Sequence, residues 1–548
     1  SYSVANGNIK NSSTWSNTSG GTAGYSPKTD GTGAFVIERG YIVNMNTDFS
    51  LSNLTVGATG NGVLIWTNDN VELNIENSGA INIASGSQID EGNRTNANIY
   101  FNDTDGLIVN DITNGLEIDD IFIASNANLS ISGSGKILVN NDITFNGDDA
   151  TITNNLTGSF TVTDDFLFPD GNDLNQFTNN GILNINDELF FDANSNNDVV
   201  INNGTLIIGG DLTFEDVGFE VTRDAVTNNG TLTIGDDLFI GNDYCTVTNN
   251  GTLTITDELF FAGNSDYCSL TTGNGSTTTI QNQVYYEIEP GGEGTTNNTI
   301  TNAGILTITN SIVSIQYGIT FTNQATGTMT VTDFWEDRTG MDVINSGILN
   351  VTDFELNDSN DEMDIINSGT LNFVDVNASN GDLDITNTGK INQTGTFVNT
   401  EIDASSDFTN STNGRWNYSG NNHDTDTRLF CSATENTFNY NRTGNQPMID
   451  VQNNDYHHLE ITVSGTKSSA DHMDIEGNLT ISDDAILNVN SGSDDITIAG
   501  DWINTSSNGF TEGTRTVTFD GTANQTITCS TIGVETFYNL SINKSNGS

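Results

Sequence analysis

The stretch TNNGTLTIGDDLFI, Thr227–Ile240, decides the fold because it returns in nearly the same letters elsewhere in the chain. Thr248–Phe261 spells TNNGTLTITDELFF, and Thr178–Phe191 spells TNNGILNINDELFF. The glycine of this phrase recurs at steps of 20 to 26 residues in two runs, at Gly135, Gly158, Gly181, Gly204, Gly230 and Gly251 and at Gly304, Gly327, Gly347, Gly369 and Gly389. A period of this length is typical of stacked repeats, so most of the 548 residues are expected to form one repeat array.

The alternation of side chains within the phrase predicts the shape of each repeat. After the glycine, Leu232 and Ile234 alternate with Thr231 and Thr233, which places the apolar residues on one face of a strand. An acidic turn, a second apolar run and a third short run follow before the next NNG. Three short strands in each coil of 20 to 26 residues predict an all-β fold, a right-handed parallel β-helix.

The composition is strongly acidic. Fourteen Lys and Arg residues stand against 72 Asp and Glu residues, and the net charge of −58 would repel nucleic acid and anionic lipid. No run approaches the length of about 18 apolar residues that a membrane-spanning helix needs, so no direct membrane insertion is expected. The opening SYSVANG lacks the regions of a signal peptide, which indicates a mature or trimmed product.

Asparagine two positions before the glycine is a second periodic signal. Asparagine tolerates the left-handed backbone conformation, and stacked amides can hydrogen-bond from coil to coil, so the pattern predicts a turn ladder. The residues of this ladder are Asn179, Asn202, Asn228, Asn249, Asn345 and Asn367.

The repeat style divides the chain into three segments. Residues 1–56 are interpreted as an entry segment with the first coils, and residues 57–400 as the regular repeats. Residues 401–548 carry a longer repeat, because FNYNRTGNQ at Phe438–Gln446 has a counterpart in VTFDGTANQTI at Val517–Ile527. A solenoid that stopped at Ser548 would expose an unpaired strand edge, so the natural protein is expected to continue.

Two parts of the chain resemble a known group of proteins. GDWINTSSNGFTEGTRTVTFDGTANQTI and FYNLSINKS, within Gly500–Ser545, resemble a unit of large secreted and surface proteins of the Bacteroidetes. NGNIKNSSTWS at Asn6–Ser16 and FVIERGYIVNMNTDFSLSNLTV at Phe35–Val56 are similar to the N-terminal entry segment of those proteins. The resemblance implies export by the type IX secretion route and display on the cell surface, often as an adhesin or stalk.

An enzyme of the β-helix class is the main alternative to a structural role. A protein that cleaves polyuronates needs Arg or Lys to bind carboxylates, yet only Arg223 and Arg338 are basic between Asn140 and Lys390. Paired carboxylates recur in nearly every coil, which favours an architectural role over catalysis. The histidines form no HExxH motif and are interpreted as surface residues, namely His423, His457, His458 and His472.

Six residues after the glycine, an aspartate recurs in both runs of the repeat. Stacking would bring these carboxylates close together, and their repulsion has to be offset. Either each aspartate accepts main-chain N–H bonds within its own turn, or Ca²⁺ bridges neighbouring coils. The column consists of Asp164, Asp187, Asp236, Asp257, Asp333, Asp353 and Asp375.

Phenylalanine recurs in the ninth and tenth places after the glycine. Since adjacent strand residues face opposite sides, one member of each Phe-Phe pair must point outward. The ninth-place residues are Phe190, Phe239 and Phe260. They either stack in the core or form a surface patch that binds glycan rings or a neighbouring protein.

Cys245 and Cys268 each end a DYC triplet, and they lie one coil apart at 23 residues. Residues stacked in a parallel β-helix lie about 4.8 Å apart, within the range that a disulfide accepts, so these two are predicted to be bonded. Stacked thiols are the alternative, and the state of Cys431 and Cys529 stays open.

These observations predict a non-enzymatic, extracellular shaft or adhesive segment of a bacterial surface or filament protein. The alternatives are a glycan-binding module and a carbohydrate-active enzyme that acts on neutral glycans. Ca²⁺ is the one cofactor that the pattern suggests. Expected partners are further segments of the parent chain, the secretion machinery, and glycans or neighbouring surface proteins, with nucleic acid excluded.

Overall fold

A computed structural model shows an all-β chain whose parallel strands stack into a β-solenoid of about 19 turns. The predicted parallel β-helix is therefore confirmed, while its right-handed sense stays a prediction. The structure describes residues 1–28, 30–58, 60–215, 223–241, 243–262, 265–286, 297–314, 319–336, 340–356, 362–378, 381–398, 406–421, 428–449, 451–469, 471–490, 495–529 and 535–544. Within these ranges the helices are two short 3-10 turns, Ser12–Thr14 and Gln452–Asn454, and no helix is long and apolar enough to cross a membrane.

The chain divides into two compact units. The first comprises Ser1–Asn282 with Glu287–Asn298, and the second comprises Gln283–Tyr286 with Thr299–Ser548. The strands before the regular coils are Tyr2–Ser3, Gly7–Asn8, Trp15–Ser16, Ala34–Ile37, Ile42–Met45, Phe49–Val56, Val63–Trp66, Val71–Ile83, Gln88–Asp90, Ala97–Phe101, Thr104–Val109, Gly115–Ile118, Asp120–Ala124 and Asn128–Gly133.

Each regular coil of the first unit has three strands, as predicted. The leading strands end at an asparagine, or at a threonine in the last of them, and are Thr151–Asn154, Gln176–Asn179, Val199–Asn202, Ala225–Asn228, Thr246–Asn249 and Ser269–Thr272. The middle strands follow the glycine, or a serine in the last of them, and are Lys136–Val139, Ser159–Val162, Ile182–Ile185, Thr205–Ile208, Thr231–Ile234, Thr252–Ile255 and Thr277–Ile280. The closing strands follow the acidic turn and are Ile143–Asn146, Phe166–Phe168, Leu189–Phe191, Leu212–Phe214, Leu238–Ile240 and Leu259–Phe261.

In the second unit several coils depart from the three-strand pattern. The strands Ile305–Ser314, Thr328–Glu336 and Ile348–Leu356 each run through the corner and join a middle strand to a closing strand. The other strands up to Tyr440 are Val284–Tyr286, Asn298–Asn302, Ile319–Asn323, Met341–Asn345, Glu362–Asn367, Thr370–Phe373, Asp375–Ala378, Asp382–Asn387, Lys390–Gln393, Phe397–Val398, Asp407–Asn410, Arg415–Tyr418, Arg428–Phe430 and Thr437–Tyr440. Asn298, the first residue of its strand, belongs to the first unit.

The longer repeat continues as three columns of short parallel strands. These strands are Gln446–Pro447, Asp455–Tyr456, His458–Ile461, Gly465–Ser468, Met473–Ile475, Leu479–Ile481, Ala485–Asn488, Ile496–Ile498, Trp502–Asn504, Phe510–Thr511, Thr516–Phe519, Ile527–Cys529 and Asn539–Ile542. The repeated glutamine makes the same pair of hydrogen bonds in each copy of the longer repeat. The side-chain amide of Gln446 donates to the carbonyls of Tyr418 and Gly420 at 3.0 and 2.9 Å. Gln525 donates to the carbonyls of Ile498 and Gly500 at 2.8 and 2.7 Å.

Identical positions of successive coils lie directly above one another. Leu206, Leu232 and Leu253 pair in register along the middle strands, and all three are completely buried. Burying one such side chain contributes about 2 kcal/mol. Because the apolar residue sits at the same place in each coil, the core grows as continuous columns.

The glycine of the phrase allows the coils to approach closely. A Cβ atom on Gly204, Gly230 or Gly251 would overlap a main-chain carbonyl oxygen of the preceding coil. None of these three glycines has a left-handed φ. The residue is therefore required for contact between coils, and not for an unusual backbone conformation.

Candidate functional site

A buried ladder of asparagine side chains runs through the first unit. The Nδ2 atom of each asparagine donates to Oδ1 of the next at 2.8 to 2.9 Å, in the order Asn154, Asn179, Asn202, Asn228 and Asn249. The series ends where Asn249 donates to the hydroxyl of Thr278 at 2.9 Å. All five asparagines are completely buried and are the last residues of leading strands. Their backbone is extended, so the left-handed conformation expected for them is wrong.

The second unit contains a ladder of the same kind. The Nδ2-to-Oδ1 distances are 2.7 to 2.9 Å along Asn302, Asn323, Asn345, Asn367, Asn387 and Asn410. Each of the first five amides also donates to a main-chain carbonyl, as Asn345 does to Thr370 at 3.0 Å. Both amide hydrogens are used, which is how a fully buried amide avoids a desolvation cost.

The second asparagine of the NNG phrase forms a parallel ladder on the surface. Asn180, Asn203, Asn229 and Asn250 each donate from Nδ2 to Oδ1 of the asparagine one coil earlier, at 2.8 to 3.0 Å. These side chains are exposed. The surface ladder therefore donates in the opposite direction along the stack from the buried one.

The acidic corner of the first unit differs from the expectation. Asp164, Asp187 and Asp236 are exposed. The carboxylates that accept main-chain N–H bonds lie one place later in the phrase, and the donors come from the next coil. In each bond the main-chain N–H of the first residue donates to Oδ1 of the second. The pairs are Asp165 and Asp142 at 3.0 Å, Glu188 and Asp165 at 2.9 Å, Asp237 and Asp211 at 2.8 Å, and Glu258 and Asp237 at 2.8 Å.

Burial and mutual repulsion act on these inner carboxylates. Burial is the largest cause that raises the pKa values of Asp142, Asp165, Asp211 and Asp237, and the charges of nearby aspartates raise them further. The N–H bond from the next coil acts in the opposite direction. These groups offset part of the repulsion by holding protons more tightly.

Two groups of three aspartates have carboxylate oxygens within 4.8 Å of one another. One consists of Asp142, Asp164 and Asp165, and the other of Asp211, Asp236 and Asp237. Oxygen atoms are the ligands that Ca²⁺ takes, but it takes six to eight of them. Calcium therefore stays a prediction at these corners.

The acidic column of the second unit is arranged differently. Asp333, Asp353 and Asp375 pair in register on successive strands. Burial is the largest cause that raises the pKa values of Asp333 and Asp353. Asp375 accepts bonds from the main-chain N–H and the hydroxyl of Thr396 in the next coil. The corner of this unit is thus held by contacts between coils as well.

A buried polar column that no repeated residue type marks lies at or one residue before the start of the leading strands of the first unit. In each bond a main-chain N–H donates to the side chain at the same place in the next coil. The bonds are Ala150 to Asn175 at 3.0 Å, Asn175 to Asp198 at 2.6 Å, Asp198 to Asp224 at 2.8 Å, Cys245 to Cys268 at 3.3 Å and Cys268 to Asn298 at 2.8 Å. The signal in the sequence is an acceptor side chain, Asn, Asp or Cys, at this fixed place.

Two members of the column are carboxyl groups with no exposed surface. Burial raises the pKa of Asp198 to about 8 and that of Asp224 to about 7. The second oxygen of Asp224 accepts the hydroxyl of Ser195 at 3.3 Å, whereas Oδ2 of Asp198 has no hydrogen-bond partner among the residues that the structure describes. A proton on Asp198 removes the cost of burying its charge.

Cys245 and Cys268 occupy the same column and are completely buried. Both are thiols in the structure. The sulfur of Cys268 accepts the N–H of Cys245, and so replaces the carboxylate or amide oxygen found at this place in other coils. The disulfide between them is not formed there and stays a prediction.

The ninth-place phenylalanines face outward. Phe190, Phe239 and Phe260 are half-buried on the outer side of the closing strands, whereas Phe191 and Phe261 are completely buried. The alternative in which the ninth-place phenylalanines stack in the core is therefore wrong. The outer positions form one line in register, Asn74, Tyr100, Phe122, Thr144, Leu167, Phe190, Thr213, Phe239 and Phe260.

The orientation of the outer rings limits what they can bind. Phe239 and Phe260 stack with centroids 5.1 Å apart and planes 9° apart, and Tyr244 and Tyr267 stack at 4.9 Å and 10°. In both pairs the faces between the rings cover one another. Cations and sugar rings are attracted to aromatic faces, so the faces between the stacked rings are closed to them, while the guanidinium of Arg223 lies 5.8 Å from the centre of the Tyr244 ring.

Two of the histidines meet a glutamate. Ligand atoms of Glu435, His457 and His458 lie within 4.8 Å of one another. However, Nδ1 of His458 accepts the main-chain N–H of Asn478 at 2.9 Å, so the proton of the neutral ring is on Nε2. Nε2 then lacks the lone pair that a metal needs. His472 is half-buried, and His423 lies outside the described residues.

No protein-family model, no curated protein and no solved structure matches this chain.

Proposed function

We propose that this chain is a non-enzymatic structural and adhesive segment of a large bacterial surface or filament protein. The observation that supports this most directly is the buried amide ladder, which joins successive coils at 2.7 to 2.9 Å within each unit. The ladder adds side-chain bonds to the main-chain bonds of every coil, and fully satisfied buried networks rigidify the structure around them. A rigid unit that can be extended coil by coil suits a spacer.

The arrangement of the carboxylates supports the non-enzymatic part of the proposal. Asp142, Asp165, Asp211 and Asp237 each accept a main-chain N–H bond from the next coil. Acid–base catalysis needs two groups whose environments differ, so that one is protonated while the other is ionised. Carboxylates that repeat one kind of bond in several coils are better suited to holding the corners together.

The acidic surface fits a protein that has to remain unaggregated in salt. A net charge of −58 keeps neighbouring copies apart, and the repulsion is screened within about 8 Å at physiological salt. In this proposal the partners are further segments of the parent chain, the secretion machinery, and glycans or other surface proteins.

The location can be tested on intact cells of the source organism. Brief protease treatment should release peptides of this chain into the medium, while a cytoplasmic protein measured in parallel stays intact. If the chain becomes accessible only after lysis, the proposed location is wrong.

Incubating the purified chain with neutral polysaccharides and with polygalacturonate should release no new reducing ends, and a steady release would show an enzyme instead.

A further inference from the structure

A groove of about 210 Å³ lies on the outside of the second unit, where the middle strands meet the corner. Asn350, Asn372 and Asn392 lie along it on three successive coils. Apolar side chains also line it, among them Phe373, which is almost completely buried, and Val374, which is 38% exposed. The groove therefore combines a row of amides with an apolar surface.

The three amides form a ladder that leaves part of their bonding capacity unused. Asn350 donates to the hydroxyl of Thr330 at 3.3 Å, Asn372 to Asn350 at 2.8 Å and Asn392 to Asn372 at 2.6 Å. A primary amide has two N–H donors and two acceptor positions on its oxygen, and among the residues that the structure describes these side chains use one of each. The spare donor and acceptor recur once per coil, so they can pair with a ligand that presents hydroxyl groups at regular intervals.

The same ladder continues beyond the groove, but there it is covered. Asn417 donates to Asn392 at 2.8 Å and Asn439 donates to Asn417 at 3.1 Å, yet these two asparagines are only 6% and 4% exposed. The guanidinium of Arg415 bonds to Asn417 at 3.1 Å and to Glu460 at 3.1 Å. The ladder is therefore open to solvent at Asn350, Asn372 and Asn392 and closed at the next two coils.

The groove is uncharged on a protein of net charge −58. None of its ten lining residues, all of which the structure describes, is acidic or basic. Asp353 and Asp375 lie close to it along the chain but are not among the lining residues. An anionic ligand would be repelled by the protein as a whole, and a cationic one would find no carboxylate partner in the lining.

We propose that this groove binds a neutral polysaccharide chain. The chain lies across the three coils, pairs its hydroxyl groups with the spare donors and acceptors of Asn350, Asn372 and Asn392, and places the apolar face of a sugar against Val374. The hydroxyls of Thr352 and Thr394 line the same groove. The volume is below the range of about 300–1,000 Å³ that encloses a drug-sized ligand, which fits contact along one side of a chain.

Calorimetric titration of the full chain tests the proposal. The probes are the neutral hexasaccharides of β-1,4-linked glucose, xylose and mannose, with a hexagalacturonate as the anionic comparison. At least one neutral hexasaccharide should bind at millimolar concentration or below, and the hexagalacturonate should not. If no neutral probe binds, or if the anionic probe binds as well as the neutral ones, the proposal is overturned.

Two pairs of variants locate the binding. Val374→Asp should weaken binding about tenfold. Ile366→Asp is its matched control, since it makes the same kind of change at a 53% exposed residue of a leading strand in the same unit. Asn372→Ala should also weaken binding, whereas Asn229→Ala, in the surface ladder of the first unit, should not. Equal losses within either pair, with melting temperatures unchanged, would rule the groove out.

Discussion

The main-chain N–H of Asp198 donates to Oδ1 of Asp224 in the next coil at 2.8 Å, and both carboxyl groups are completely buried. In other coils of the same column the acceptor of this N–H bond is a neutral side chain, as at Asn175 and Asn298. Two acids in succession therefore make the stability of the first unit depend on pH.

The first unit should lose stability as pH rises from about 4 to about 8. The pKa values of Asp198 and Asp224 are about 8 and about 7 in the folded chain, against an ordinary value of 3.8. The folded state thus keeps protons that the unfolded chain releases above about pH 4, and this stabilisation is lost as pH passes the folded pKa values. Asp198→Asn should reduce the pH dependence of the melting temperature, because Asn keeps the acceptor and removes the charge. Asp164→Asn, at an exposed site, is the control, and an equal effect of both variants would contradict the assignment.

The buried ladder should be worth more to stability than the surface ladder. Asn228→Ala removes an acceptor from Asn202 and leaves buried groups without partners, so it should cost about 2–4 kcal/mol. Asn229→Ala breaks only exposed amide bonds and should cost less than about 1 kcal/mol. Urea denaturation of both variants measures the difference. Similar midpoints would mean that the buried amide bonds contribute no more to stability than the exposed ones.

Oxidation should link Cys245 to Cys268. Their neighbours Thr246 and Ser269 pair in register, which places the two cysteines at the spacing of adjacent parallel strands, within the range that a disulfide spans. Peptide mapping by mass spectrometry without reduction, after treatment with oxidised glutathione, should find the linked peptide. Recovery of both residues only as alkylated thiols would rule the bond out. In Cys268→Asn the acceptor for the N–H of Cys245 is kept, so this variant should fold.

Removing one whole coil should leave a folded protein. Deletion of residues 228–248 spans 21 residues and places Asn249 above Asn202, where Asn228 stood. The flanking strands keep their pattern, so the circular dichroism spectrum should keep its β-sheet form. As a control, deletion of ten residues from the same segment should disrupt the stack, because the shortened coil cannot place its three strands above those of the preceding coil. If the full-coil deletion unfolds the chain to the same extent, the coils are not interchangeable.

Calcium should raise the melting temperature if it bridges the acidic corners. Carboxylate oxygens of Asp142, Asp164 and Asp165 lie close enough to share an ion. The increase should be reversed by a chelator and reduced in Asp165→Asn. Magnesium at the same concentration controls for general screening. Identical melting curves with calcium and with chelator would exclude the bridge.

The sequence predicts the coil well and its corners less well. Strand alternation and glycine spacing are fixed by the core, as Leu232 and Gly230 show, so they can be inferred from the letters alone. Whether Phe239 or its neighbour faces outward depends on how the turn before Leu238 orients the closing strand, which the alternation within the middle strand does not determine. For the same reason the acidic residues that accept N–H bonds lie one place beyond the predicted column.

The buried polar column of the first unit could not be recognised from a repeated residue type. Asn175, Asp198 and Cys268 are different residues with one shared property, an acceptor atom at the right distance from the next coil. A search for repeated letters does not find such a column, whereas a search for repeated hydrogen-bonding capacity would.

The two asparagine ladders of the first unit donate in opposite directions along the stack. In an α-helix the peptide dipoles are aligned and add up to partial charges at its ends. Here the amide dipoles of the buried and surface columns oppose each other, so a coil can be added without increasing the electrical polarity contributed by these side chains. Growth of the repeat by duplication therefore adds little net dipole from these two columns of amides.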